Sequence, residues 1–188
     1  EGEADFELSY KKRYGIDNGN IEQALSLANT EGFSSKDSNY EAQVEWGYQK
    51  QTLSITNSKF ASKDGYKGME LPDKKDAIAL LKKNIPGKMD NWLYKSWGSK
   101  QLENGRVYGP VQAKRSQGSF NGNKLYIEIW PIKNSQGNGL EYVVEASFKA
   151  DSYTQANSVR SQLFTYLNNR GWLLAQDSLK TQLIMDRY

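Results

Sequence analysis

The chain has 188 residues, 37% hydrophobic and 25% charged, with 5 Trp, 12 Tyr and 6 Phe; it can bury a sizeable core and is too aromatic to be disordered. Its 25 basic and 22 acidic residues leave a formal net charge of +3, and the basic residues fall in short clusters (YKKRY at 10–14, AKRS at 113–116) rather than in a stripe, which argues against nucleic acid or an anionic membrane as partner. The absence of cysteine and histidine excludes disulfides, thiolate nucleophiles, zinc held by Cys or His, and any mechanism using imidazole as base.

Phe6, Leu8 and Tyr10 alternate with Glu7, Ser9 and Lys11, the pattern of a half-buried strand. DNGN at 17–20 supplies turn and N-cap residues, and Ile21, Ala24, Leu25 and Ala28 follow at helical spacing. Gly32 is the expected stop, in the left-handed conformation, with Phe33 as the apolar residue behind it. Residues 39–48 alternate again, with Tyr40, Ala42, Val44, Trp46 and Tyr48 on one face. Leu53 and Ile55 then alternate with Thr52, Ser54 and Thr56, so the two segments read as an antiparallel hairpin. Residues 57–70 read as a polar, glycine-containing loop.

Asp73 can cap a helix carrying Ile78, Leu81 and Ile85, ended by Pro86 and Gly87. A second short helix is expected over 89–97, with Met89, Trp92, Leu93 and Trp97 on one side and Gly98 as its stop. Helical spacing assigns the Trp pair to core packing rather than to a ligand platform. From Arg106 a β meander begins, its first strand an edge interrupted by Pro110 and Gly118. Asn121 and Gly122 form the strongest hairpin signal in the chain, because a type I′ turn needs positive φ at both positions. The strands KLYIEIWPI and LEYVVEASFKA follow, separated by the glycine-rich loop NSQGNG. Ser152 and Gln155 fit a capping box for a helix with Ala156, Val159, Leu163, Tyr166 and Leu167 as its stripe, ended by Gly171 and followed by Trp172. A last strand over 178–188 is expected to put Leu179, Thr181, Leu183 and Met185 on one face.

These elements predict a single α+β domain over 1–188: an antiparallel, or mixed, sheet of six to eight strands with two main helices on one face. Two pseudo-symmetric β-α-β halves, about 1–60 and 105–188, share the helix–glycine–aromatic pattern, with a helical insertion over 71–98. No stretch of eighteen apolar residues occurs, so no transmembrane helix is expected. The chain begins EGEADF without Met; that start and the lack of cysteine suit a mature exported, periplasmic protein.

The candidate surface lies on the strand after the Asn121–Gly122 turn. A two-residue loop pairs residue 120 with 123 and therefore sets Arg115 opposite Glu128, with Tyr126 and Trp130 on the same face. Glu145, on the next strand, lies nearby in a register the loop leaves open. The face reads either as ordinary sheet surface with a cross-strand ion pair or as an amphipathic groove with aromatic platforms. As a catalytic pair, Glu128 and Glu145 would need glycosidase spacing and one raised pKa, whereas an arginine partner lowers a pKa. The same two carboxylates would repel the phosphates of a nucleic acid stacked on Tyr126 and Trp130. No calcium-loop spacing and no phosphate-cradling glycine motif occurs, so neither metal nor cofactor is expected. The sequence thus reads as a non-enzymatic, exported bacterial protein that binds another protein or an envelope component through Arg115, Tyr126, Glu128, Trp130 and Glu145. The alternative is a carboxylate-dependent glycan hydrolase or glycan-binding module on the Tyr126, Glu128 and Trp130 face.

Overall fold

In the computed structural model, which describes residues 5–177 and 180–188, the protein is α+β: two antiparallel three-stranded sheets and, among the described residues, six α-helices. The chain divides into two compact units, Glu1–Val107 and Tyr108–Tyr188. The strands expected in one sheet lie in two. Alternation marks which residues of a strand face inward, but not which strands share a ladder.

The first unit contains β1 (Asp5–Ile16), α1 (Ile21–Thr30), β2 (Glu41–Trp46) and β3 (Gln51–Ser62), in sheet order β1-β3-β2. Residues 57–62, expected as loop, continue β3, because the first half of the twelve-residue β1 pairs with them from Tyr10↔Asn57 to Asp5↔Ser62. Asn20 caps α1 by accepting from the Gln23 N–H. Gly32, at φ 86°, lets the Phe33 N–H donate to the Ala28 carbonyl over 2.8 Å. Phe33 thereby enters the core with Tyr14, Ala28, Tyr40, Leu53 and Ile55. Lys12 borders the same core. Its ammonium lies 3.4 Å from the centroid of Trp92 and 3.2 Å from Glu31, which also accepts from the Tyr14 hydroxyl at 2.8 Å. Burial pushes the Glu31 carboxyl up, but these hydrogen bonds and the Lys12 charge outweigh it and hold the pKa below the ordinary value. Trp92 and Trp97 meet edge to face at 5.0 Å, and Trp92 packs against the core, although it lies between two helices and not on the one that the spacing suggests.

Asp73 caps α2 (Lys74–Asn84), and the Tyr10 hydroxyl donates to Leu81 O, tying β1 to that helix. α3 (Gly87–Asp90) and α4 (Trp97–Glu103) replace the single helix expected over 89–97. Gly98, expected as a stop, lies buried inside α4. Its lack of a side chain permits a close crossing: a Cβ there would stand 2.5 Å from Ile85 Cδ1 and 2.9 Å from the Met89 carbonyl oxygen. Because one of these atoms is backbone, Gly98→Ala is expected to cost about 1–3 kcal/mol in overpacking, despite the better helix propensity of Ala. Urea unfolding of the variant beside wild type measures it, and an unchanged or raised midpoint would show that the crossing is not tight.

The second unit contains β4 (Lys114–Phe120), β5 (Asn123–Lys133), β6 (Leu140–Phe148), α5 (Tyr153–Asn168) and α6 (Lys180–Arg187), with sheet order β4-β5-β6. Asn121 and Gly122 take φ of 47° and 78°, as the hairpin signal requires. Ser152 caps α5 by accepting from the Gln155 N–H, and the Gln155 side chain accepts from the Asp151 N–H. Of the strand expected over 178–188, residues 178 and 179 lie outside the described residues and 180–187 form a helix. Thr181 is polar and Leu183, Ile184 and Met185 are consecutive, so the segment has no true period of two; Ile184 and Tyr188, four apart, are joined by a backbone hydrogen bond. Among the described residues, the second β-α-β half is therefore not closed by a strand. Its shared feature with the first, helix–glycine–aromatic, is a local stop: Gly171 at φ 66° lets Trp172 N–H reach Leu167 O.

Candidate functional site

Alternation along β5 sends Tyr126, Glu128, Trp130 and Ile132 to one face of the second sheet and Leu125, Ile127 and Ile129 to the other. α6 covers the first face and α5 the second, as the contacts below establish.

The five residues selected from the sequence meet on the α6 face. The hairpin sets Arg115 opposite Glu128, with Nε 3.4 Å from Oε1. The register of β6, which the sequence leaves open, places Glu145 directly across from Glu128. Two opposed carboxylates repel. Lys180, from the first turn of α6, lies between them, its Nζ 2.5 Å from Glu128 Oε2 and 3.1 Å from Glu145 Oε1. The Trp130 Nε1–H also donates to Glu128 Oε2 at 3.1 Å, and the Lys180 ammonium lies 4.6 Å from the Trp130 ring centroid. Arg115 stacks on Tyr126 at 4.2 Å. At the far end of the helix, Arg187 pairs with Glu141 at 3.1 Å.

Glu128 has a side chain only 14% exposed. Burial alone would push its carboxyl up, but the Lys180 hydrogen bond and charge, the Trp130 hydrogen bond and the Arg115 charge hold it below the ordinary carboxylate value. It is an ionised acceptor whose oxygens are already engaged. A general acid in glycoside cleavage needs the opposite shift. The arrangement fastens α6 to the sheet. Among the described residues, no group of three or more Asp or Glu side chains is placed to hold a metal ion. Lys180 is the member the sequence reading missed. The spacing of Lys180, Ile184 and Tyr188, each four apart, was the available signal.

The α5 face is different in character. Asn121 Nδ2 donates to Gln162 at 2.7 Å and Gln155 Nε2 to Asn123 at 3.1 Å, which fixes the helix over the hairpin tip. Val159 and Leu163 are its buried residues. Between helix and sheet runs a groove of about 1310 Å³, whose lining includes Phe120, Ile127, Val144, Leu163, Tyr166 and Trp172. α5 shelters the sheet end that carries Leu125, Ile127, Ala146 and Phe148, which are half-buried. Beyond it the same face stays open: Leu140 is 58% exposed, Tyr142 67% and Val144 61%, and Trp172, just past the end of α5, is 67% exposed. Alternation separates two faces of a strand but does not say how far a covering helix reaches, so this strip was not legible.

Comparison with protein-family models, with curated proteins and with solved structures finds no match to this chain.

Proposed function

We propose that the protein is a non-enzymatic binding module, acting outside the cytoplasm, whose second unit engages a partner protein through the open apolar face beside α5. The observation that carries the reading is the strip Leu140, Tyr142 and Val144, spaced two apart on one face of β6 and exposed by more than half. Each such side chain forgoes part of the roughly 1.5–3 kcal/mol that full burial would give. A contiguous exposed apolar patch is the usual mark of an interaction surface. The cysteine-free composition accords with an exported chain. The sequence-selected cluster around Glu128 serves this reading as scaffold, since its charges are neutralised internally. The glycan alternative draws less support. Trp46, Trp97 and Trp130 are half-buried, whereas a sugar platform needs an open ring face.

A photo-crosslinking residue at Val144, with one at exposed Lys36 as control, tests the proposal on the full chain in an extract of its source. Protein adducts specific to position 144 are expected. Adducts at both positions alike, or at neither, would remove the reading. Saturable quenching by an envelope glycan that Trp130→Ala abolishes would instead establish the alternative.

A further inference from the structure

The inference here rests on the binding-module reading and concerns the free edge of the strand that carries the open face. We propose that the occupant of the β6 edge is a second copy of this chain, joined by antiparallel β6–β6 pairing about a two-fold axis through Val144, so that two three-stranded sheets become one of six strands.

Three observations carry it. First, β6 is an unguarded edge. Among the described residues, no strand pairs with its outer side. Sheet edges are normally protected by shortness, by Lys or Pro, or by bulges. The other three edge strands have such protection: β1 carries Lys11, Lys12 and Arg13 in succession, β2 is only six residues long, and β4 carries Lys114 and Arg115. β6 is nine residues long, LEYVVEASF, with no Lys, Arg or Pro, and its register with β5 runs unbroken from Leu140↔Lys133 to Phe148↔Leu125.

Second, the two charges it does carry are cancelled within the chain, Glu141 by Arg187 at 3.1 Å and Glu145 by Lys180 at 3.1 Å. The like-charge repulsion that would keep two copies apart is thereby weakened.

Third, the strand is complementary to itself in one register. Pairing about Val144 sets Leu140 against Phe148, Tyr142 against Ala146, and Val144 against its own copy on the apolar face. On the other face it sets Glu141 against Ser147 and Val143 against Glu145. Moving the axis one residue towards the N-terminus opposes Glu141 to Glu145 twice. Moving it one residue the other way opposes Glu145 to itself. Like charges directly opposite destabilise a ladder, so of these three registers the one about Val144 satisfies both faces, and it pairs the strand along its whole length. The exposed strip beside α5 then continues across the two copies as one apolar surface, and the contact is isologous and closed.

The chain has no cysteine, which makes single-cysteine variants clean reporters. Sedimentation equilibrium of the full chain is expected to give twice 21.4 kDa, falling to 21.4 kDa for Val144→Lys with its circular dichroism unchanged. Mild oxidation of Val144→Cys is expected to yield a covalent dimer as the main species. Tyr142→Cys alone should not do so, while an equimolar mixture of Tyr142→Cys and Ala146→Cys should. A wild-type chain that stays monomeric at the highest soluble concentration overturns the inference. So does a dimer that survives Val144→Lys and forms no disulfide at position 144. If the chain is monomeric but Val144 still crosslinks specifically to another protein, the binding-module reading stands and the self-pairing fails; with no adduct at 144, both fail.

Discussion

Phe33→Ala is expected to destabilise the first unit by about 3–5 kcal/mol, the usual cost of deleting a buried phenyl ring. The ring is 1% exposed and meets Tyr40 edge to face at 5.9 Å. Its position is fixed from the backbone: the positive φ of Gly32 turns the chain, and the Phe33 N–H caps the Ala28 carbonyl. The backbone at residue 33 therefore cannot shift inward to relieve the cavity without breaking the helix stop. Ala24 and Ala28 beside it are too small to collapse into the void. The expected readout is a lower urea midpoint followed by Trp92 and Trp97 fluorescence, in a background where Trp46, Trp130 and Trp172 are Phe. Trp172→Ala, made in a chain that keeps Trp130 as the reporter of the second unit, supplies the contrast. It carries the same sequence signal, glycine then aromatic, but its side chain is exposed, and the change should stay within about 0.5 kcal/mol. Comparable losses at the two positions would refute the assignment of one aromatic to a core and the other to a binding face.

That pair illustrates what the sequence could and could not supply. Gly32–Phe33 and Gly171–Trp172 are legible as helix stops because a Schellman turn is a local event, decided by one residue with positive φ. Asn20, Asp73 and Ser152 are legible as caps, and Asn121–Gly122 as a turn, for the same reason. Burial of the aromatic residue after each stop depends on what the sheet places above it, and that is tertiary. Gly98 marks the limit from the other side. Read locally it is a stop; in the structure it is the point where α4 crosses Ile85 and Met89.

The candidate site divides in the same way. Arg115 opposite Glu128 followed from a two-residue turn, since loop length fixes hairpin register. Glu145 did not, because the loop joining β5 to β6 closes through Asn134 N–H to Gly139 O across six residues whose spacing alone does not specify a register. Lys180 was hidden by counting Thr181 as apolar in a strand. With that helix misread, the Glu128 face looked open to solvent, and the surface that is open, on the reverse side of the same strands, looked like core.

Lys180→Met tests the corrected site, and its effect has a sign that depends on pH. At neutral pH the variant should lose about 1–3 kcal/mol of unit stability, the range for a charged hydrogen-bond partner removed from a partly buried group. The exposure of Lys180 and Glu145, 31% and 35%, favours the lower part of that range. In the wild type the folded Glu128 carboxyl lies below its ordinary value of 4.5. Its contribution is therefore complete above pH 4.5 and is lost as pH falls through the lower, folded value. In the variant Glu128 faces Glu145 with only the Trp130 Nε1–H and Arg115 in support. The folded carboxyl then rises, and a raised carboxyl means a penalty present above its pKa and relieved on acidification. The stability gap between the two proteins should accordingly narrow as pH falls below 4.5. Lys180→Met combined with Glu145→Gln should recover part of the loss at neutral pH, because the opposed charge is gone. Urea midpoints for the three proteins across acid and neutral pH measure both effects. A gap that stays constant with pH, with no recovery in the double variant, would mean that Lys180 holds α6 by its aliphatic stem over Trp130 and not by its charge.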